Sequence, residues 1–321
     1  MLYPLKFKPR YKERIWGGNK LKSSLGKDIP ADTAIGESWE VSGVDGDLSV
    51  VANGMLKGNN LQELIEVYMG DLVGEKVYEK FGLYFPVLIK LIDAEDVLSI
   101  QVHPDDKLAA ERHNSYGKTE MWYIIDCEPG AEIYMGFNRD VTREEYLAHV
   151  AAGTLPEILD RVKVKPGDAF FIPAGAIHAI GRGILIAEIQ QTSDITYRVF
   201  DWNRVDANGK GRELHTGLAV DAIDFGKGGR YDVTQKPDPN KAVTLESCRY
   251  FTTNLVEVVG AFERDYATLD SFVTYTCLKG KLEVVWDGSS DTIAAGESML
   301  IPAEIEHLTL KGRGKLLEVH M

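Results

Sequence analysis

Gly167-Asp-Ala-Phe-Phe-Ile-Pro-Ala-Gly-Ala-Ile-His178 and Gly296-Glu-Ser-Met-Leu-Ile-Pro-Ala-Glu-Ile-Glu-His307 are two copies of one pattern, 129 residues apart at every matched position. Pro302 falls on Pro173 and His307 on His178. In each copy a glycine followed by an acidic residue opens an apolar run that a proline ends. Pro166-Gly167-Asp168 makes the first opening a tight turn before a strand. A β unit that recurs in this way implies two jelly-roll barrels, one around each copy. The fold expected is mainly β, two barrels with a few short helices.

Working upstream, Leu98-Ser-Ile-Gln-Val-His-Pro-Asp-Asp106 alternates in polarity. The side-chain period of a strand is two, so Ser99, Gln101 and His103 share one face and Leu98, Ile100 and Val102 the other. Pro104-Asp105-Asp106 ends the strand as a turn, and a polar loop follows. Glu120 then begins the apolar run Met121 to Ile125. Gln101, His103, Glu120 and His178 together offer an amide oxygen, two imidazoles and a carboxylate. That set suits a divalent metal such as zinc, with a position left open for water or substrate. A lone histidine in an apolar strand is more often a hydrogen-bonded core residue. Four candidates in three strand-like segments weigh against that reading, but spacing alone leaves both open.

Four segments now carry a resemblance: Ser99 to Asp106, Gly117 to Ile125, Gly167 to Ile180, and Ser193-Asp-Ile-Thr-Tyr-Arg-Val-Phe-Asp-Trp202. They resemble the signature segments of class I mannose-6-phosphate isomerases, the zinc-dependent cupin type. Arg14-Ile-Trp-Gly-Gly18 and Gly36-Glu-Ser-Trp-Glu-Val-Ser42 are similar to that family too. The resemblance is strong over roughly residues 1–215 and weak beyond. It is to the short bacterial form, because only a small helical segment at about 140–160 stands where long forms carry a large helical domain.

The resemblance implies two cupin barrels, one Zn2+ per chain (other divalent metals being possible) on Gln101, His103, Glu120 and His178, and interconversion of mannose 6-phosphate and fructose 6-phosphate through a cis-enediol. It implies that Arg198 neutralises the enediolate and that Lys118 lies near the sugar. Glu188 stands at the position for proton transfer, with His103 or water at the metal as rivals. The phosphate falls to Lys90 and Arg204 with Ser99. The family often has lysine where Arg204 stands. Some long forms carry a histidine at Gly117, a side chain absent here.

Composition bounds the rest. At 321 residues, 44% hydrophobic and 26% charged, the chain is long enough for about two domains of ordinary composition. The first ten residues contain no apolar segment of signal-peptide length, and no run of eighteen apolar residues exists. Cys127, Cys248 and Cys277 form neither a CxxC motif nor an even framework, which reads as buried free thiols in a reducing cytoplasm. The net charge of −13 excludes a nucleic-acid surface and means that local cations must draw any anionic substrate. The partners expected are a phosphorylated hexose, no nucleic acid and no membrane, with the chain a monomer or homodimer.

The spacing of Leu61, Leu64, Ile65, Tyr68 and Met69 predicts a helix within 60–81, capped by Asn59 or Asn60 and ended by Gly70, with a second short helix near Lys76–Phe81. Trp16 and Trp39 read as core. Phe85 to Asp93 is a strand in which Lys90 either meets an anionic partner or sits at an edge. Thr142 caps a helix from Val141 to Val150. Ile184, Ile186, Glu188 and Gln190 share a strand face. There, Glu188 is either a base raised by desolvation or half of a cross-strand ion pair. The domains expected are a catalytic cupin at 1–204, a Gly- and Pro-rich connecting segment at 205–243 with a helix near Leu214–Ile223, and a second cupin-like domain at 244–321. The second repeat has no Gln-x-His upstream, so a complete metal site is not expected there. Three competing functions stay open: an iron dioxygenase, which Gln101 argues against; a non-catalytic sugar-binding cupin; and an isomerase of another sugar.

Overall fold

The computed structural model describes residues 2–30, 33–205, 209–229 and 231–321. Positions 206–208 and 230 of the expected connecting segment, and 1, 31 and 32 of the expected first domain, lie outside the described residues. In chain order the elements are β1 (Arg10–Gly18), α1 (Lys20–Ser23), β2 (Ile35–Val41), α2 (Leu61–Val73), α3 (Glu75–Phe81), β3 (Val87–Ala94), β4 (Ile100–Val102), α4 (Asp106–His113), β5 (Glu120–Cys127) and β6 (Glu132–Phe137). They continue as α5 (Arg143–Ala152), β7 (Leu159–Lys163), β8 (Ala169–Ile172), β9 (His178–Ile180), β10 (Ile184–Gln191), β11 (Tyr197–Phe200) and α6 (Thr216–Ala219). Last come β12 (Ala242–Ser247), β13 (Thr252–Asp265), β14 (Val273–Trp286), β15 (Ser289–Ala294), β16 (Ser298–Ile301) and β17 (His307–His320).

The strands form three antiparallel sheets. Sheet one has the order β1-β2-β3-β10-β5-β8, sheet two β11-β4-β9-β6-β7, and sheet three β12-β13-β17-β14-β15 with β16 paired to β14. The expectation of a mainly β chain with a few short helices is met. β10 shows why sheet one is central. Every residue in it is buried, and its two faces enter different cores. Ile184 and Ile186 point into the lumen between sheets one and two, among Ile92, Ile124, Met135 and Ile180. Leu185, Ala187 and Ile189 point the other way, into a core shared with Leu300, Leu317 and Val319 of sheet three and with Phe272, just before β14. The outer face of sheet two packs on α5, α6 and Ile223. The lumen of sheet three is filled by Val258, Tyr275, Leu310 and their neighbours.

Three local expectations are corrected. The polar stretch after Pro104 is a helix, α4. The Asp105 side chain accepts from Leu108 N at 2.8 Å and supplies the N-cap, while the helix buries only Ala109, so no apolar stripe marked it. Asn60 and Glu63 form a capping box for α2, but the helix does not end at Gly70. The chain turns at Met69 (φ 45°, ψ −124°), makes one more turn that buries Leu72 and Val73, and stops at Gly74. Of the three cysteines, all free, only Cys277 is buried; Cys127 and Cys248 are half-buried. The helix capped by Thr142 forms as read, with Glu145 completing its box. Among the described residues no helix is long and apolar enough to cross a membrane.

Candidate active site

Register places the site. Across sheet two, Arg198 pairs with Gln101 and Gln101 with His178, so strands distant in sequence bring three polar side chains into one row. Glu120 opens β5 on the facing sheet. His103, Glu120 and His178 offer ligand atoms that all lie within 4.8 Å of one another, and all three are buried. Glu120 Oε1 is 3.2 Å from His178 Nε2 and 3.5 Å from His103 Nε2. Its Oε2 is 3.2 Å from Lys118 Nζ, which is also 3.2 Å from His103 Nε2. The Gln101 amide nitrogen lies 3.3 Å from His178 Nε2.

The imidazoles are aimed by the backbone. His103 Nδ1 lies 2.9 Å from the Ile195 carbonyl and His178 Nδ1 2.9 Å from the Ala176 carbonyl. A carbonyl only accepts, so each Nδ1 carries a hydrogen and each Nε2 is turned toward Glu120. Burial first, and the Lys118 ammonium second, push His103 down to about 3, so its ring is neutral. Burial pushes the Glu120 carboxyl up, but its polar neighbours, the Lys118 ammonium first among them, hold the group well below its usual range. Glu120 is therefore an ionised carboxylate, fully buried, and neither oxygen accepts a hydrogen bond. Such a group is costly unless something with positive charge takes its lone pairs. Two imidazole nitrogens, an amide and a carboxylate that is paired with Lys118 but accepts no hydrogen bond fit a divalent metal.

A second row crosses sheet one: Trp39, Lys90, Glu188 and Trp122 are successive cross-strand neighbours. Lys90 Nζ is 2.9 Å from Glu188 Oε2 and 2.6 Å from Gln190 Oε1, and Trp122 Nε1 donates to Glu188 Oε1 at 3.0 Å. Both oxygens of Glu188 are engaged, and the cross-strand ion pair is the arrangement found. Burial lowers the Lys90 pKa, but Glu188 and Glu37 outweigh it and raise the ammonium above its usual value. Lys90 is thus a charged floor residue with two of its three donors committed.

Trp39, Lys90 and Glu188 of the second row line a cavity of about 610 Å³ with Ser99, Gln101, Lys118 and Arg198, and His103, Glu120 and His178 lie behind Gln101 and Lys118. Trp16 and Trp39, read as core, are buried and also wall this cavity. Arg204, expected at the phosphate, does not line it. Its guanidinium donates to the Val97 carbonyl at 2.7 Å and to Asp201 at 2.6 Å. The mouth instead holds three cations that the sequence reading did not single out: Lys12, Arg14 and Arg212. Arg212 sits on a bidentate pair with Asp201 and Arg14 on Glu37 at 2.8 Å. Asp194 lines the cavity too. Arg14 was legible only as part of a turn, and Arg212 as part of a connecting segment. In fact that segment folds back on sheet two through Ala219, Val220 and Ile223.

The family model for the catalytic domain of type I phosphomannose isomerase matches residues 4–136, and that for the cupin domain of mannose-6-phosphate isomerase matches residues 241–321. The mannose-6-phosphate isomerase ManA of Bacillus subtilis is 38% identical over 324 residues, covering 99% of each chain. The chain belongs to the type I mannose-6-phosphate isomerases. The mannose-6-phosphate isomerase of Streptococcus mutans is 35% identical, over 100% of this chain and 99% of its own. The crystal structure of the mannose 6-phosphate isomerase from Bacillus subtilis superposes with a TM-score of 0.90 at 34% identity, covering 99% of both chains. The family and the cupin fold that the four signature segments implied are therefore those of this isomerase.

Proposed function

We propose that this isomerase interconverts mannose 6-phosphate and fructose 6-phosphate by moving a proton between C2 and C1 through a cis-enediol. One observation carries the reading: a buried, ionised Glu120 whose oxygens accept no hydrogen bond, beside two imidazoles aimed at it. Gln101, His103, Glu120 and His178 would hold zinc or another divalent metal, which would supply Lewis acidity where negative charge develops on the O1/O2 pair. Gln101 would present its amide oxygen, half a turn about a terminal torsion from the orientation described.

The other residues follow from the cavity. Arg198, whose Nε is buried without a partner, faces the sugar's reacting end and neutralises the enediolate. Lys118, between His103 and Glu120, binds the sugar oxygens nearest them. Glu188 is held by Lys90 and Trp122, so we assign it and Lys90 to fixing the floor of the cavity. Asp194 lines the same space with neither oxygen engaged among the described residues, and is the better-placed base. Ser99 and the cations of the mouth, Arg212, Arg14 and Lys12, take the phosphate, with Arg204 holding Asp201 beneath Arg212.

Two broader readings go with this. A division into 1–204, 205–243 and 244–321 agrees with β1–β11 and β12–β17 bonding in separate sheets, although β12 begins at Ala242, two residues before that last boundary. A cytoplasmic setting agrees with three free thiols, and a monomer or homodimer stays part of the reading.

The test is formation of fructose 6-phosphate from mannose 6-phosphate by protein as purified, after chelation, and after zinc is restored. Activity should vanish with chelator and return with zinc. Glu120→Ala should lose zinc binding, and Arg198→Ala and Asp194→Asn should lose kcat by a factor on the order of a hundred or more. A folded, zinc-loaded protein with no turnover overturns the substrate assignment and points to a binding role.

A further inference from the structure

Sheet three carries no residue of the cavity, yet the turn between β12 and β13 reaches Asp106, beside the segment that delivers Lys118 and Glu120: Arg249 Nη2 lies 3.6 Å from Asp106 Oδ2, and the Tyr250 hydroxyl bonds the same oxygen. Tyr250 lies in the turn between β12 and β13, next to Phe251, which is buried in the core that sheets one and three share. Its hydroxyl donates to Asp106 Oδ2 at 2.8 Å. The other oxygen of Asp106 accepts from Gly117 N at 3.1 Å and from Gln191 Nε2 at 2.9 Å. Gln191 in turn accepts from Thr119 N at 2.9 Å through Oε1. One carboxylate therefore joins the second barrel, the last residue of β10 and the chain from Gly117 to Glu120. Burial pushes the Asp106 carboxyl up, and its bonds to Gln191, Tyr250 and Gly117 outweigh this, so it stays an ionised acceptor.

The fit at Gly117 is an independent sign that this junction is built. A Cβ there would stand 2.5 Å from Asp106 N and 2.6 Å from Asp105 C, and backbone cannot swing away as a side chain would. Glycine is needed for the close approach, and the approach brings the Gly117 amide onto Asp106. One residue further on, Lys118 N donates to the Pro104 carbonyl at 3.1 Å. The segment is thus pinned at three consecutive amides immediately before Glu120.

We propose that Asp106 is a positioning residue through which Tyr250 of the second barrel fixes the Gly117–Glu120 segment, so that Lys118 and Glu120 stand at their working distances. The second barrel then serves the reaction as a brace on the active-site segment. The proposal rests on the isomerase reading of the site.

Tyr250→Phe, Asp106→Ala and Asp106→Asn, each in the full zinc-loaded chain, test it by three readouts. These are hydrogen–deuterium exchange of the peptide covering 114–121, kcat and KM for mannose 6-phosphate, and the thermal midpoint. Tyr250→Phe should speed exchange in that peptide and lower kcat roughly tenfold, with KM within about twofold and the midpoint little changed. Asp106→Ala should do more on both counts. Asp106→Asn should recover most of the loss, since its amide oxygen still accepts from Gly117 and Gln191 and its NH2 donates to the Tyr250 oxygen. Unchanged exchange and kcat in Tyr250→Phe overturns the proposal, as does a kcat loss that only follows the unfolded fraction. If the unmodified chain proves inactive on this sugar, the function assignment fails, and exchange alone decides the brace: faster in Tyr250→Phe supports it, unchanged overturns it. Tyr250→Phe removes a single oxygen from a half-buried side chain and carries the test if Asp106→Ala does not fold.

Discussion

Glu37 of β2 shows how a single residue in this molecule is held by one partner on its own strand and others on neighbouring strands. Its oxygens accept from Arg14 at 2.8 Å and from the Trp39 indole at 2.7 Å, in a buried position. Burial pushes its carboxyl up, but the charges of Lys90 and Arg14 outweigh burial and hold it below 4.5. A carboxylate lowered in the folded state adds stability that is present above its unfolded pKa and is lost as pH falls through its folded one. Glu37→Gln should therefore lower the thermal midpoint at pH 7 and flatten the fall in midpoint below about pH 4.5. Melts at pH 7 and pH 3.5 check this, and parallel pH profiles for the two proteins would refute it. That His103, Glu120 and His178 could meet was legible from the strand period and the repeat, although spacing alone left a core reading open and the resemblance was needed to favour a metal. The partners of Lys90, Glu188 and Arg204 were not legible, because each depends on strand register or loop return, which residue types alone do not give.

At the scale of elements, α2 carries the clearest local conflict. Met69 sits at φ 45°, a conformation that costs a residue with a Cβ about 1–3 kcal/mol. The turn persists because Leu72 and Val73 are drawn into the core beyond it. Glycine relieves the strain and costs about 0.5–1 kcal/mol in the unfolded chain. Met69→Gly should then stabilise the protein by about 1 kcal/mol, read as a higher thermal midpoint; a lower one would show that the Met69 side chain, itself half-exposed, contributes more than its backbone costs. Capping residues made α2 and α5 legible, whereas α4, with one buried alanine, had a cap but no stripe to confirm it. The end of α2 was misread because glycine at 70 looked like a stop. A Cβ there would meet only the end of the exposed Glu75 side chain, which can swing away, so glycine is not required at 70.

For the whole molecule, the decisive fact is that sheets one and three share a core. Phe272, Leu300, Leu317 and Val319 pack in one cluster with Val87, Leu91 and Ile189. Neither barrel buries its outer face alone, so heat should unfold the chain in a single transition, coincident by tryptophan fluorescence and circular dichroism. Leu317→Ala should lower that one midpoint by the equivalent of about 2–5 kcal/mol. Two separated transitions, with only the later or the earlier moved by Leu317→Ala, would show that the barrels are independent. The repeat made two barrels legible. That they are fused face to face was not, because the apolar residues of the seam look the same as those that fill a lumen.

The shared core also sets a problem of timing during synthesis. β10 completes sheet one at Gln191, but two of the residues that cover its outer face, Leu317 and Val319, belong to β17, the last strand of the fold. At ordinary ribosomal speed the interval between them is on the order of ten seconds. Throughout it, the nascent chain presents Leu185, Ala187 and Ile189 in a strand with that side uncovered. The catalytic half is made first and sealed last, which makes a paused or truncated message a source of sticky, half-finished protein.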